Sequence, residues 1–273
     1  MFQYEFMRIA FLVGILLGII LPLLGTGVVY KRLSSSGDAL AHSALAGVAI
    51  GLAAGFNTFY ISIAACFVSF LIIEFLRNKF SKYSELGVAV VLSLAIALAG
   101  ILSSFTSASN FDSYLFGSII LVTTPELIFT IVIASVILIL SILFYPQVFL
   151  SLYSESEAKV TGLKVRLINF IQSLLLSITI AVGAKIVGSL VVSSLLVLPI
   201  AIALLFKKGY KVTLIVGVIA SVVSMCVGLV ISYYCDLKPG ATIVASCLGI
   251  LALVLVYKGI ETLIRKRKLI KRK

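Results

Sequence analysis

The sequence predicts an all-α polytopic membrane protein with about nine transmembrane helices, its amino terminus outside and its carboxyl terminus in the cytoplasm. Three observations carry this. Hydrophobic residues make up 62% of the 273 positions and charged residues only 12%, roughly half the charge of a soluble domain. Apolar runs of about 20 residues, the length that crosses a bilayer, recur along the whole chain. Lysine and arginine concentrate in alternate loops, the bias that orients membrane proteins.

The expected spans are 7–30, 38–56, 58–77, 86–104, 126–145, 167–184, 186–206, 212–232 and 241–258. The first run is too long for a signal peptide and lacks a small-residue cleavage site, so it is kept as a span. The stretch 105–125 begins polar (Thr106, Ser107, Ser109, Asn110, Asp112) and turns apolar from Leu115 to Val122, which suits a short helix or a re-entrant turn. One set of loops carries Lys31/Arg32, Arg77/Lys79/Lys82, Lys159/Lys164/Arg166, Lys207/Lys208/Lys211 and the tail, whereas the alternate set carries little more than Lys185 and Lys238. The first set is therefore assigned to the cytoplasm. That assignment requires an odd number of spans; eight would follow only if 7–30, or the pair 167–184 and 186–206, were read differently. No composition shift marks a second domain, so 1–273 is read as a single transmembrane domain. It has a cytoplasmic insertion at 147–166, long enough for a short helix stopped by Gly162, and a basic cytoplasmic tail at 259–273.

A formal charge of +12 does not point to nucleic acid. The basic residues sit in short loops and in the tail beginning Arg265-Lys266-Arg267-Lys268, where they anchor the chain and meet anionic lipid headgroups. Cys66, Cys226, Cys235 and Cys247 show no metal-ligand spacing; three lie in apolar runs as small hydrophobes and Cys235 lies at a loop edge. No GxxxxGK[ST] phosphate loop occurs, so uphill transport would need energy from a partner or an ion gradient. With a single histidine and no nucleophile–base pair, an enzyme is not indicated.

The residues with the most chemical content are Asp38 and His42 in Gly37-Asp38-Ala39-Leu40-Ala41-His42-Ser43. Four apart, they share one helix face. Ionisable groups inside a membrane are costly and suggest function, and a carboxylate with an imidazole makes half of a first-row divalent metal site. Two structural roles stay open beside that one: Asp38 as a helix cap after Ser34-Ser35-Ser36-Gly37, and His42 as a packing residue. On the opposite face Ala39, Ser43, Gly47, Gly51 and Gly55 form a small-residue ridge for close helix packing. Glu74 reads as a local partner of Arg77, Lys185 as a residue reaching the outer interface, and Pro199 as a kink and candidate hinge.

The run KRLSSSGDALAHSALAGVAIGL, residues 31–52, resembles the signature of permeases of the zinc/manganese ABC importer family, and the resemblance extends over nearly the whole chain. FQYEFMRIAFLVGILLGIILPLLG is similar to that family's first span, Gly188–Ala203 to its small-residue and proline segment, and Tyr233–Val244 to its late external loop. Ser36 stands where the family usually carries a bulky apolar residue, and Ser84-Glu85-Leu86-Gly87 matches its acidic loop loosely. The resemblance implies a type II importer architecture. Two copies of the permease would line the pathway, two cytoplasmic ATP-binding subunits would dock beneath, and an extracellular or periplasmic metal-binding protein would deliver the ion. It implies that the 147–166 insertion, with Glu155, Glu157, Lys159 and Gly162, is the coupling helix. It implies Zn²⁺ or Mn²⁺ as cargo, with zinc favoured over manganese or iron, and no permanently bound cofactor. The rival expectations are a secondary cation transporter driven by an ion gradient, against which the scarcity of intramembrane acids speaks, and a non-transporting membrane scaffold.

Overall fold

A computed structural model describes residues 4–31, 33–80, 84–104, 114–115, 117 and 124–270. Arg32, Lys82 and most of the 105–125 stretch lie outside the described residues, as do the last three of the basic tail. Among the described residues the chain is helical throughout, in the order α1 (Glu5–Tyr30), α2 (Ser35–Ala54), α3 (Thr58–Lys79), α4 (Ser84–Ser103), α5 (Thr124–Leu143), α6 (Tyr145–Tyr153), α7 (Glu155–Val160), α8 (Val165–Ile186), α9 (Ser189–Leu204), α10 (Tyr210–Cys235) and α11 (Pro239–Ile270). In a bilayer each backbone N–H and C=O must find its partner within its own segment, and a helix does this at every position.

Eight of these helices are long and apolar enough to cross a membrane. The ninth expected span is α9, which has only 16 residues, or about 24 Å at the α-helical rise. That falls short of the roughly 30 Å hydrocarbon core. The sequence run 186–206 overstated it because Val187 and Gly188 form the turn out of α8, with Gly188 at φ +106°. Only glycine enters that region readily. A short helix is tolerated here because α9 is enclosed by α1, α2, α8, α10 and α11, so it never has to match the lipid.

Burial differs sharply among the spans. The windows of α1 and α2 are 61% and 67% buried, against 22% for both α5 and α11. α1 and α2 carry the small residues that let neighbours approach: a methyl added at Gly25 would lie 2.2 Å from the Leu196 carbonyl oxygen, and one at Gly47 2.7 Å from the Ser62 Cα. Packing of this kind supplies helix association where lipid removes the hydrophobic drive. The core joins α1, α2, α8 and α9 through Leu17, Leu21, Ala44, Ile180, Leu195 and Leu196. Lipid-facing stripes such as Leu86, Val90, Leu94 and Ile101 on α4 stay exposed in the single chain. At the carboxyl end the span expected at 241–258 and the basic tail form one continuous helix, α11, to Ile270.

Candidate functional site

α2 begins without a side-chain cap. Ser34, in the N-cap position, has helical backbone angles and makes no capping hydrogen bond. The first free donors are met by loop carbonyls instead: Ser36 N donates to Leu33 O at 2.9 Å and Gly37 N to Ser34 O at 3.2 Å. Asp38 is thus the fourth helical residue rather than a cap, and its carboxylate is not used to start the helix. Asp38 is exposed and His42, one turn on, is half-buried. The two lie within electrostatic reach of each other. Gly37, immediately before Asp38, abuts Leu196, the eighth residue of the sixteen in α9. The pair therefore lies in the first two turns of α2, level with the middle of α9.

The reverse face of α2 is closed. Gly47 and Gly51 meet α3 at Ser62 and Thr58, Ser43 Oγ turns back to Ala39 O at 2.7 Å, and Cys66 Sγ of α3 donates to Leu40 O at 3.1 Å. Gly55 does not continue the expected ridge. It is exposed, a Cβ there would meet nothing within 4 Å, and its φ of +72° ends the helix. The glycine is required by the backbone turn rather than by a neighbour.

No group of three or more His, Cys, Asp or Glu side chains able to hold a metal occurs among the described residues. Asp38 and His42 thus offer two donors per chain, and four-coordinate zinc takes more. The exposed carboxylate on a membrane-spanning helix points the same way: facing lipid it would be unfavourable.

The 147–166 insertion forms two short helices, α6 and α7. Ser154 caps α7, its Oγ accepting from Glu157 N at 3.3 Å. Gly162, at φ +80°, ends it: Gly162 N donates to Lys159 O and Leu163 N to Ala158 O, each at 3.1 Å, the paired bonds of a Schellman turn. Ala158 is buried while Glu157 and Lys159 are exposed. Tyr153 (76% exposed) and Val160 (89%) flank the tip.

Besides Lys258–Glu261 within α11, at 2.8 Å, two ion pairs lie in or near the spans among the described residues. Glu74 pairs with Arg77 at 3.1 Å near the end of α3. The other was not legible in the sequence. Lys185, expected to reach the outer interface, instead turns inward to pair with Glu126 of α5, and its ammonium lies 5.1 Å from the centre of the Phe59 ring. Both side chains are nearly buried, at 14% and 9% exposure. The two-residue connection from α8 to α9 leaves no loop for Lys185 to extend into. Pro199 is buried within α9 and sits near Gly217 of α10, with its carbonyl oxygen 3.7 Å from a Cβ placed there.

Two hollows remain. A groove of about 860 Å³ among α1, α5, α6, α8 and α10 is almost wholly apolar, with Leu138, Leu175, Val218 and Tyr210 on its walls; it has no donor set for a metal. The other, behind α2, is polar and described below.

The sequence matches the model of the ABC 3 transport family over residues 3–258. It is 36% identical over 256 residues to a probable metal transport system membrane protein of Treponema pallidum, covering 93% of this chain and 96% of that one. It is 31% identical to the high-affinity zinc uptake system membrane protein ZnuB of Buchnera aphidicola (92% and 97% covered). It is also 30% identical to the manganese transport system membrane protein MntC of Listeria monocytogenes (89% and 87% covered). In fold it superposes on a chain of PsaBC from Streptococcus pneumoniae, solved in complex with Fab, with a TM-score of 0.80, 24% identity and 92% and 91% of the two chains covered. The family match spans nearly the whole chain and the fold agrees over the same length. This protein is a multi-pass membrane protein of the ABC 3 transport family.

Proposed function

We propose that two copies of this chain form the membrane-spanning part of an ATP-driven importer of divalent metal ions in the cell membrane. The observation that carries this reading is the pair of an exposed Asp38 and a half-buried His42 near the start of a membrane-spanning helix whose opposite face packs on α3. A second copy apposed on this face would cover the carboxylate and complete a set of two carboxylates and two imidazoles, enough for tetrahedral coordination. The ligands serve as a transient stop for the ion rather than a resident site.

The chain has no phosphate loop of its own, so two cytoplasmic ATP-binding subunits supply the energy. They dock on α6–α7, where Glu157 and Lys159 give polar contacts, Tyr153 and Val160 give exposed apolar ones, and Gly162 sets the exit angle; the side chain of Glu155 lies outside the described residues. A metal-binding protein delivers the ion from outside. Pro199 serves as a hinge, because proline leaves one backbone hydrogen bond of α9 unmade. Zn²⁺ is the proposed cargo over Mn²⁺ or Fe²⁺: imidazole with carboxylate suits it, and it lies above both in the affinity order. Relatives named for zinc and for manganese are nearly equally similar, so the choice rests on the ligands.

The test is import of radioactive zinc by the native assembly in proteoliposomes. Asp38→Ala and His42→Ala should each lose at least about tenfold in rate, the scale of a lost metal ligand or its supporting partner, while still assembling with the ATPase. Import at the wild-type rate by either assembled variant would refute the site. Zinc counterflow through the chain alone, without nucleotide, would refute ATP coupling in favour of an ion-gradient transporter. Zinc and manganese offered in competition decide the cargo.

A further inference from the structure

Behind α2, the cytoplasmic ends of α1, α2, α3 and α8 enclose a polar cavity of about 40 Å³ lined by Lys31, Ser36, Glu74, Arg77, Asn169 and Gln172, among others. It lies on the far side of α2 from the candidate site. Ser36 and Leu40 line it, while Asp38 and His42 fall two residues on, about 200° around the helix. Inside a membrane bundle this concentration of polar groups calls for a reason.

The central contact is a hydrogen bond from Lys31 Nζ to Asn169 Oδ1 at 2.6 Å, joining residues 138 positions apart. Lys31 is the cap that closes α1, and only four residues separate that helix from the start of α2 at Ser35. The connection is tight, with Leu33 N bonded to Val28 O at 2.9 Å. Asp38 follows Lys31 by seven residues. At the other end Asn169 lies in the second turn of α8, which starts directly after the Schellman turn that closes α7. That junction is equally tight: Val165 N donates to Leu163 O and Leu167 N to Lys164 O, both at 2.9 Å, and Ala158 and Val165 are buried. A displacement of α7 is thus carried into α8 without a flexible joint.

The joint between α8 and α1 encloses a polar cavity rather than a sealed apolar contact. Gln172 Oε1 and Arg77 Nε are buried with no hydrogen-bond partner in the structure, and a cavity of this size has room for two or three waters at about 10–15 Å³ each. Gln172 lies 3.5 Å from a Cβ placed at Gly27, so α1 and α8 touch closely at that point. A hydrated polar contact can shift its partners where interdigitated side chains would have to repack.

We propose that the Lys31–Asn169 hydrogen bond is the mechanical link that carries movement of the α6–α7 insertion to the start of α2, setting the position of Asp38 and His42. Both are positioning residues and neither touches the ion. This rests on the reading of the chain as an ATP-coupled metal permease.

The test uses the native assembly, purified through a tag on this chain, and measures zinc imported per ATP hydrolysed alongside melting temperature and the amount of ATPase retained. Lys31→Ala and Asn169→Ala should each lower the zinc-to-ATP ratio by about fivefold or more, the low end of ordinary coupling energies. The assembled complex should melt at an unchanged temperature. The double variant should be no worse than either single, and Lys31→Arg should restore much of the ratio. If Lys31→Ala does not assemble, Asn169→Ala alone decides. An unchanged ratio in an assembled single variant would overturn the proposal, as would losses that multiply in the double. If wild-type assemblies contain no ATPase or import no zinc, the functional reading itself fails, an outcome distinct from failure of the link.

Discussion

Two of the acid–base pairs in the spans, Glu126–Lys185 and Asp38–His42, are built in opposite ways. Glu126 and Lys185 come from helices far apart in sequence, are nearly buried and bond each other, with the Phe59 ring beside the ammonium. Asp38 and His42 share one helix face, and there Asp38 is exposed and His42 half-buried while the residues around them from Ala39 to Ala49 are buried. Inside a bilayer a charge is strongly disfavoured unless something compensates it. The Glu126–Lys185 pair is compensated within the chain and reads as structure, locking α5 to α8. Asp38 and His42 are left to be compensated from outside, by a second copy and by the ion. The difference teaches that the informative feature of an intramembrane charge is whether its own chain satisfies it.

The comparison can be broken most sharply at the closed pair. Lys185→Met strands the Glu126 carboxylate and should destabilise the protein by about 3–5 kcal/mol, the usual result of removing one partner of a buried pair. Thermal melts in detergent measure this, and Glu126→Leu with Lys185→Met together should recover most of the loss. If the single variant melts normally yet fails to import zinc, the pair belongs to the pathway and the contrast is lost. Next in size, Gly47→Ala places a methyl 2.7 Å from the Ser62 Cα and should lower stability by about 1–3 kcal/mol through overpacking. Gly55→Ala, with open space but a left-handed backbone, should lose about 1–2 kcal/mol from strain alone. Equal behaviour of Gly55 and Gly47 in packing assays would restore the continuous ridge expected from sequence. Asp38→Asn should shift stability by no more than about 0.5 kcal/mol, as for an open surface position, while zinc import collapses. A large stability loss would make Asp38 structural, like Glu126. The smallest effect is expected at Pro199→Ala, which restores a backbone donor to α9: a measurable slowing of import with no drop in melting temperature.

Much of this architecture is readable from the chain because apolar runs of bilayer length permit little besides helices. The Asp38–His42 pair is equally readable, since a spacing of four fixes a shared face. What escaped reading depends on contacts between segments distant in sequence or on backbone angles. Glu126 and Lys185 are 59 positions apart and Lys31 and Asn169 138; no periodicity links either pair. Lys185 looked like an interfacial residue because nothing near it in sequence offers a partner. Gly55 fits the small-residue repeat by spacing, yet the helix ends there and the residue serves the turn. α9 was overstated because Val187 and Gly188 are apolar and small, so hydropathy runs on where the backbone turns.

The most direct test of the open pair is the stoichiometry and ligand set of bound zinc in the purified two-copy assembly, by equilibrium dialysis and zinc X-ray absorption. One zinc per two chains, with only nitrogen and oxygen ligands and lost on His42→Ala and on Asp38→Ala, is the predicted result. Undiminished zinc binding with the same spectrum in the Asp38→Ala/His42→Ala double variant would contradict the account.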